Sequence, residues 1–141
     1  MFLSEEQQKL IVEAIKEAEL STSGEVKVHI EEKCPSDDPV KRATKLFNYL
    51  ALHKTAQRNG VLFYLAHEDR KFAVIGDKGI DKAVTILFWE STKEILRNHF
   101  AQQQYTEGLC AGINEAGKQL KKYFPYQSDD KNELSDDISF G

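Results

Sequence analysis

The sequence predicts a single α/β domain in which a mixed β-sheet is covered by helices, and three observations carry that prediction. Residues 61–66 (Val-Leu-Phe-Tyr-Leu-Ala) are apolar at every position, as in a central strand covered on both faces. An alternating stretch at 25–31 and an amphipathic helical stretch after Pro39 precede it, giving a strand-helix-strand unit whose two strands run parallel. Long segments of helical periodicity flank the strands on both sides. At 141 residues the chain fits one domain that buries a core without needing disulfides or a structural metal.

Each element has its own signal. Ser4-Glu5-Glu6-Gln7 has capping-box spacing, and Leu10, Ile11, Ala14, Ile15 and Ala18 follow at helical intervals, so a first helix runs from about Ser4 to Leu20. Ser21-Thr22-Ser23-Gly24 ends it. In the next stretch Val26, Val28 and Ile30 alternate with Lys27, His29 and Glu31, which predicts a strand with one wetter face. Asp38-Pro39 is an N-cap followed by proline at the first helical position, and Ala43, Leu46, Phe47 and Leu50 supply the stripe of a second helix ending near His53. Asn59-Gly60 turns the chain into the central strand. After the polar His67-Glu68-Asp69-Arg70, residues 71–75 return as an antiparallel partner. From Asp81 onward the pattern is helical, with Val84, Leu87, Phe88, Ile95 and Leu96 apolar, and a last helix carries Leu109, Ile113, Ala116 and Leu120. Residues 127–141, with Asp129, Asp130, Glu133, Asp136 and Asp137, read as a mobile or loosely docked acidic tail on a domain spanning 1–126, although Leu134, Ile138 and Phe140 are able to pack.

Composition excludes several classes. A formal charge of -4 and a pI near 5.6 leave no basic field for a nucleic-acid backbone. The first residues lack a signal-peptide pattern and no apolar run approaches bilayer length, so no membrane insertion and a cytoplasmic location are expected. Cys34 and Cys110 belong to no metal or redox spacing and read as two free thiols. A monomer is expected, with a protein partner left open.

Topology then brings polar residues together. With the first two strands parallel and the third antiparallel, the loop at 76–81 returns to the sheet end where the first strand begins at Glu25. The loop at 55–60 enters the central strand at that same end. Glu25, Asp77 and Asp81 therefore gather beside two glycine-containing loops, an oxygen-rich set of the kind that hard divalent cations prefer. Unpaired, these carboxylates would repel one another, and Ca²⁺ or Mg²⁺ would offset that repulsion. Each residue also has a local explanation: Asp77 as a turn residue, Asp81 as an N-cap and Glu25 as a surface strand residue. The segment is not an EF-hand, because it lacks the distal glutamate of such a loop.

Ser23-Gly24-Glu25-Val26-Lys27-Val28, Thr55 through Tyr64 and Ile75-Gly76-Asp77-Lys78-Gly79-Ile80 resemble, in that order, the TPM domain family. Phe88-Trp89-Glu90, Phe100 through Tyr105, Gly108-Leu109, Gly112-Ile113 and Phe124-Pro125 extend the resemblance over roughly residues 4–125. The resemblance implies a three-layer α/β/α sandwich on an about four-stranded mixed sheet, so that a short fourth strand is to be expected beyond the three legible ones. It also implies crossing loops with a divalent-metal site between them, which converges on Glu25, Asp77 and Asp81, with Glu90 and Asn59 as secondary candidates. Relatives with membrane anchors or leader peptides are described as acid phosphatases or receptor auxiliary proteins, and those contexts do not carry over to this chain.

Two functions follow as expectations. The first is a regulatory or interaction domain whose crossing loops are ordered by a divalent cation, Ca²⁺ in preference to Mg²⁺. The second is a weak metal-dependent acid phosphatase in which Arg58 or Lys78 contacts phosphate, although neither His67 nor His99 lies in the loops and no phosphatase nucleophile motif occurs. Elsewhere, His29 is expected on the polar strand face, His53 at the end of the second helix, Trp89 in the core, and Gly108 and Gly112 at a close helix contact.

Overall fold

The computed structural model describes residues 2–126 and 134–141. Its elements are α1 (Glu5–Ser21), β1 (Glu25–Glu31), α2 (Pro39–Tyr49), β2 (Gly60–Ala66), β3 (Lys71–Gly76), α3 (Lys78–Ala83), α4 (Glu90–Ala101), α5 (Tyr105–Lys121) and β4 (Ser139–Phe140). The sheet has the order β3-β2-β1-β4. β1 runs parallel to β2, with Glu25 opposite Gly60, and parallel to β4, while β2 and β3 are antiparallel. The fold is therefore the expected three-layer α/β/α sandwich on a mixed four-stranded sheet.

Period-two alternation divides the central strand between two cores. Val61, Phe63 and Leu65 join Val26, Val28 and Ile30 of β1 beneath α1, α4 and α5. Leu62, Tyr64 and Ala66 face the opposite way, onto Ala43, Leu46 and Phe47 of α2. All six side chains at 61–66 are buried, which is why the run carries no polar residue. The helix signals at the N-terminus hold: Ser4 and Gln7 form a reciprocal capping box, and Asp38 caps α2 with Pro39 at its first position. Gly112 lets α5 approach Leu96 of α4, where an added Cβ would stand 2.7 Å from the leucine Cδ2. Trp89 is buried, as expected. No helix among the described residues is long and apolar enough to cross a membrane.

Four expectations are revised. α2 stops at Tyr49 rather than near His53, because Ala51 enters the left-handed region at φ 57° and Leu52 donates back to the Phe47 carbonyl at 3.0 Å. His53 thus lies beyond the helix end. The helical pattern from Asp81 is broken into α3 and α4: Val84 is extended (φ -125°, ψ 165°), and Leu87 of the expected apolar stripe is exposed. The α3 cap is Asp77, so Asp81 lies inside the first turn rather than at the N-cap. Finally, the face of β1 that carries His29 and Glu31 is not wet. Both are buried, by Arg42 from α2 and by the chain end, which adds β4 to β1. The acidic residues Asp129, Asp130 and Glu133 of the expected tail lie outside the described residues.

Candidate functional site

The two loops at the start of β2 and the end of β3 cross in close contact. Thr55 ties off the first, with its Oγ1 accepting from Asn59 N–H at 3.1 Å and its carbonyl from Arg58 N–H at 3.2 Å, while Arg58 sits in the left-handed region at φ 50°. Asp77 N–H donates to Gly60 O at 3.0 Å, and Gly79 N–H donates to Arg58 O at 2.8 Å. Only glycine fits at 79, since a Cβ there would lie 2.1 Å from the Gln57 carbonyl oxygen.

Charge is concentrated at this crossing. Arg58 grips Asp77 through both guanidinium edges, Nε to Oδ2 at 2.7 Å and Nη2 to Oδ1 at 3.0 Å. The same Asp77 carboxylate accepts the Lys78 N–H at 2.7 Å as the α3 cap. Asp81 lies one helical turn on, its N–H donating to Asp77 O at 3.1 Å. Loss of hydration, and then the negative charge of Asp77, raise the Asp81 pKa above its ordinary value. Arg58, Asp77, Lys78 and Asp81 line one cleft of about 390 Å³, together with His53 and Trp89.

Of the expected ligands, Asp77 and Asp81 share this cleft and Glu25 does not line it. Glu25 Oε1 accepts the Leu134 N–H at 2.8 Å, so the carboxylate is turned to the chain end. Asn59 is buried, and its side-chain amide approaches Ser23 Oγ at 3.4 Å. Glu90 is exposed in the first turn of α4. Among the described residues no three His, Cys, Asp or Glu side chains are grouped to hold an ion. Arg58 and Lys78 both line the cleft. His53 joins them there, which the sequence pattern concealed because the site is completed by a turn after α2.

Two further polar centres were not legible. Beneath the chain end, Glu31 accepts both Arg42 Nε and Nη2 at 2.9 Å and the Tyr64 hydroxyl proton. Burial pushes the Glu31 carboxyl up, yet these donors outweigh it and hold its pKa below the ordinary value. His29 stacks on Tyr64 and meets Ser139 Oγ at 2.8 Å through Nδ1, and burial lowers its pKa. On the other side, Glu19 Oε2 accepts Val26 N–H at 3.0 Å and the side chain bonds to that of Asp136. Burial, followed by that carboxyl–carboxyl contact, pushes Glu19 up to about 9.

Comparison with known proteins places the architecture in context. A family model described as the TPM domain matches residues 1–119. The solution structure of the BA42 protein from the psychrophilic bacterium Bizionia argentinensis is 43% identical, superimposes with a TM-score of 0.94, and covers 100% of this chain and 97% of its own. The N-terminal domain of the cg2496 protein from Corynebacterium glutamicum shares the fold at 14% identity and a TM-score of 0.69, over 94% of this chain and 84% of that one. Among curated proteins none matches. Two crossing loops locked through Arg58, Asp77 and Gly79 on an α/β/α sandwich, and a family match over most of the length, agree: this chain belongs to the TPM domain family.

Proposed function

We propose that the chain is a divalent-cation-responsive regulatory domain whose crossing loops are the responsive element. The observation that carries this reading is the pair Asp77 and Asp81, two carboxylates one helical turn apart in an open cleft, the second made less comfortable by partial loss of hydration and by the charge of the first. Asp77 is already neutralised by Arg58. An incoming cation is therefore an exchange partner for the guanidinium: it takes Asp77 and Asp81, and Arg58 is released from the second loop. Loop carbonyls and water would complete the shell, and such an irregular oxygen set favours Ca²⁺ over the smaller, more rigidly octahedral Mg²⁺. Glu25 joins only if the chain end lets go of it.

One observation favours a second reading, a metal-dependent phosphatase. His53 lines the same cleft as Arg58 and Lys78, so a phosphate ester there would meet two cations and an imidazole. The regulatory reading is preferred because Arg58 is committed to Asp77.

The test is calorimetric titration of chelator-treated protein with Ca²⁺ and Mg²⁺. Binding is expected to vanish in Asp81→Asn and to tighten in Arg58→Gln, where the competing guanidinium is gone. It should also weaken on acidification, because the raised Asp81 pKa makes protons compete earlier than at an ordinary aspartate. Binding that ignores both substitutions would end the proposal. Hydrolysis of an aryl phosphate that is lost in His53→Gln would establish the second reading.

A further inference from the structure

A second cavity lies at the opposite end of the β2–β3 hairpin from the crossing loops, between the β2–β3 turn and the α4–α5 turn. Its volume is about 210 Å³. Leu65, Phe72, Phe100 and Tyr105 line it, with Phe72 and Phe100 edge-to-face at 5.4 Å and Phe100 and Tyr105 also 5.4 Å apart. Arg70 and Arg97 add two cations to the wall, which Ala101 and Gln103 complete.

The charge pattern of the chain singles these two out. There are four arginines. Arg42 is paired with Glu31 and Arg58 with Asp77. The guanidinium groups of Arg70 and Arg97 have no ion-pair or hydrogen-bond partner among the described residues, and they are the two that share a cavity. The nearest sequence neighbour able to neutralise Arg70, Asp69, instead receives the Cys34 N–H at 2.7 Å. Arg70 adopts a left-handed φ of 55° in the β2–β3 turn, and Gln103, which also lines the cavity, adopts φ 59°.

We propose that this cavity is a binding site for a small aromatic carboxylate. The aromatic walls take the ring in edge-to-face or offset contact, and the guanidinium fork of one or both arginines takes the carboxylate. At interior packing density the volume holds on the order of ten non-hydrogen atoms, one ring and one short acid arm. That size selects a free small molecule over a peptide segment. The site shares no lining residue with the Asp77–Asp81 cleft, so the inference is independent of the function proposed above.

The experiment is titration of the ¹⁵N-labelled full chain with phenylacetate, followed by amide shifts, with phenylacetamide and acetate as comparison ligands. Saturable shifts confined to Leu65, residues 70–72 and residues 97–105 are expected, with a Kd on the order of 1 mM for so small a ligand. Phenylacetamide, acetate and the Arg70→Gln/Arg97→Gln chain should each bind about tenfold more weakly or worse. Both arginines are exposed, so the double variant should otherwise keep the parent spectrum. Absence of saturable shifts to about 10 mM, or equal affinity for the acid and its neutral amide, overturns the assignment. The acid-against-amide arm uses the parent chain and decides the matter even if the variant folds poorly.

Discussion

Replacing Gly79 with alanine tests whether the loop crossing is a rigid joint or a loose contact. The new Cβ would stand 2.1 Å from the Gln57 carbonyl oxygen and 2.6 Å from that of Arg58, both main-chain atoms that cannot rotate aside. Relieving this requires the loops to separate by about 1 Å, given ordinary van der Waals distances. Overpacking of this kind costs about 1–3 kcal/mol. The Gly79 N–H to Arg58 O bond is lost with it, worth about 1 kcal/mol. Together these give about 3 kcal/mol. An unfolding entropy of about 2.1 cal/mol/K per residue converts that to a fall in Tm of about 10 °C for a chain of this length. Thermal unfolding followed by far-ultraviolet circular dichroism measures it. Gly24→Ala is the matched comparison, since its Cβ would meet Leu120 Cδ1 at 3.3 Å and a flexible side chain can yield. A Gly79→Ala melting temperature within about 2 °C of the parent would refute the reasoning and leave the crossing without structural weight.

Two other outcomes follow from particular residues. Glu19, whose pKa is raised from 4.5 to about 9, takes up a proton on folding between those values, so its contribution is complete below 4.5 and is lost progressively as pH rises through 9. Glu19→Gln should therefore match the parent in urea midpoint at pH 4.5 and exceed it at pH 8, and identical pH profiles would contradict the burial of that carboxyl. Ala51 occupies a left-handed position just past α2, so Ala51→Gly should stabilise the chain by about 0.5–1 kcal/mol, read as an upward shift in the same urea midpoint.

The parts of the fold legible in the sequence are those set by neighbours a few residues away. Ser4 with Gln7, Asp38 with Pro39, and the apolar run of β2 each carry their instruction locally, and the structure follows them. That the 55–60 and 76–81 loops meet at one sheet end was legible too, because strand direction brings them there, while their crossing was what the family resemblance implied. What could not be read depends on contacts over about a hundred residues. Glu25 is claimed by Leu134, Glu19 by Asp136 and His29 by Ser139, and nothing in the local pattern of α1 or β1 announces a partner so far along the chain. The break between α3 and α4 was hidden for a different reason. Val84, Leu87 and Phe88 keep helical spacing although the chain at Val84 is extended, so periodicity alone continued a helix that the backbone does not.

The short pairing of residues 139–140 with β1 has a consequence for how copies of this chain meet one another. Without it, β1 would present a row of open main-chain donors and acceptors beside the buried heart of the sheet, the arrangement from which strand-to-strand stacking starts. With it, Gly141 N–H satisfies the Ile30 carbonyl at 2.9 Å, and Lys27 Nζ grasps the Asp137 carbonyl at 2.7 Å, setting a charge along the same border. Residues 139–141 thus act as a partial selvedge, covering the His29–Ile30 stretch of the sheet's border.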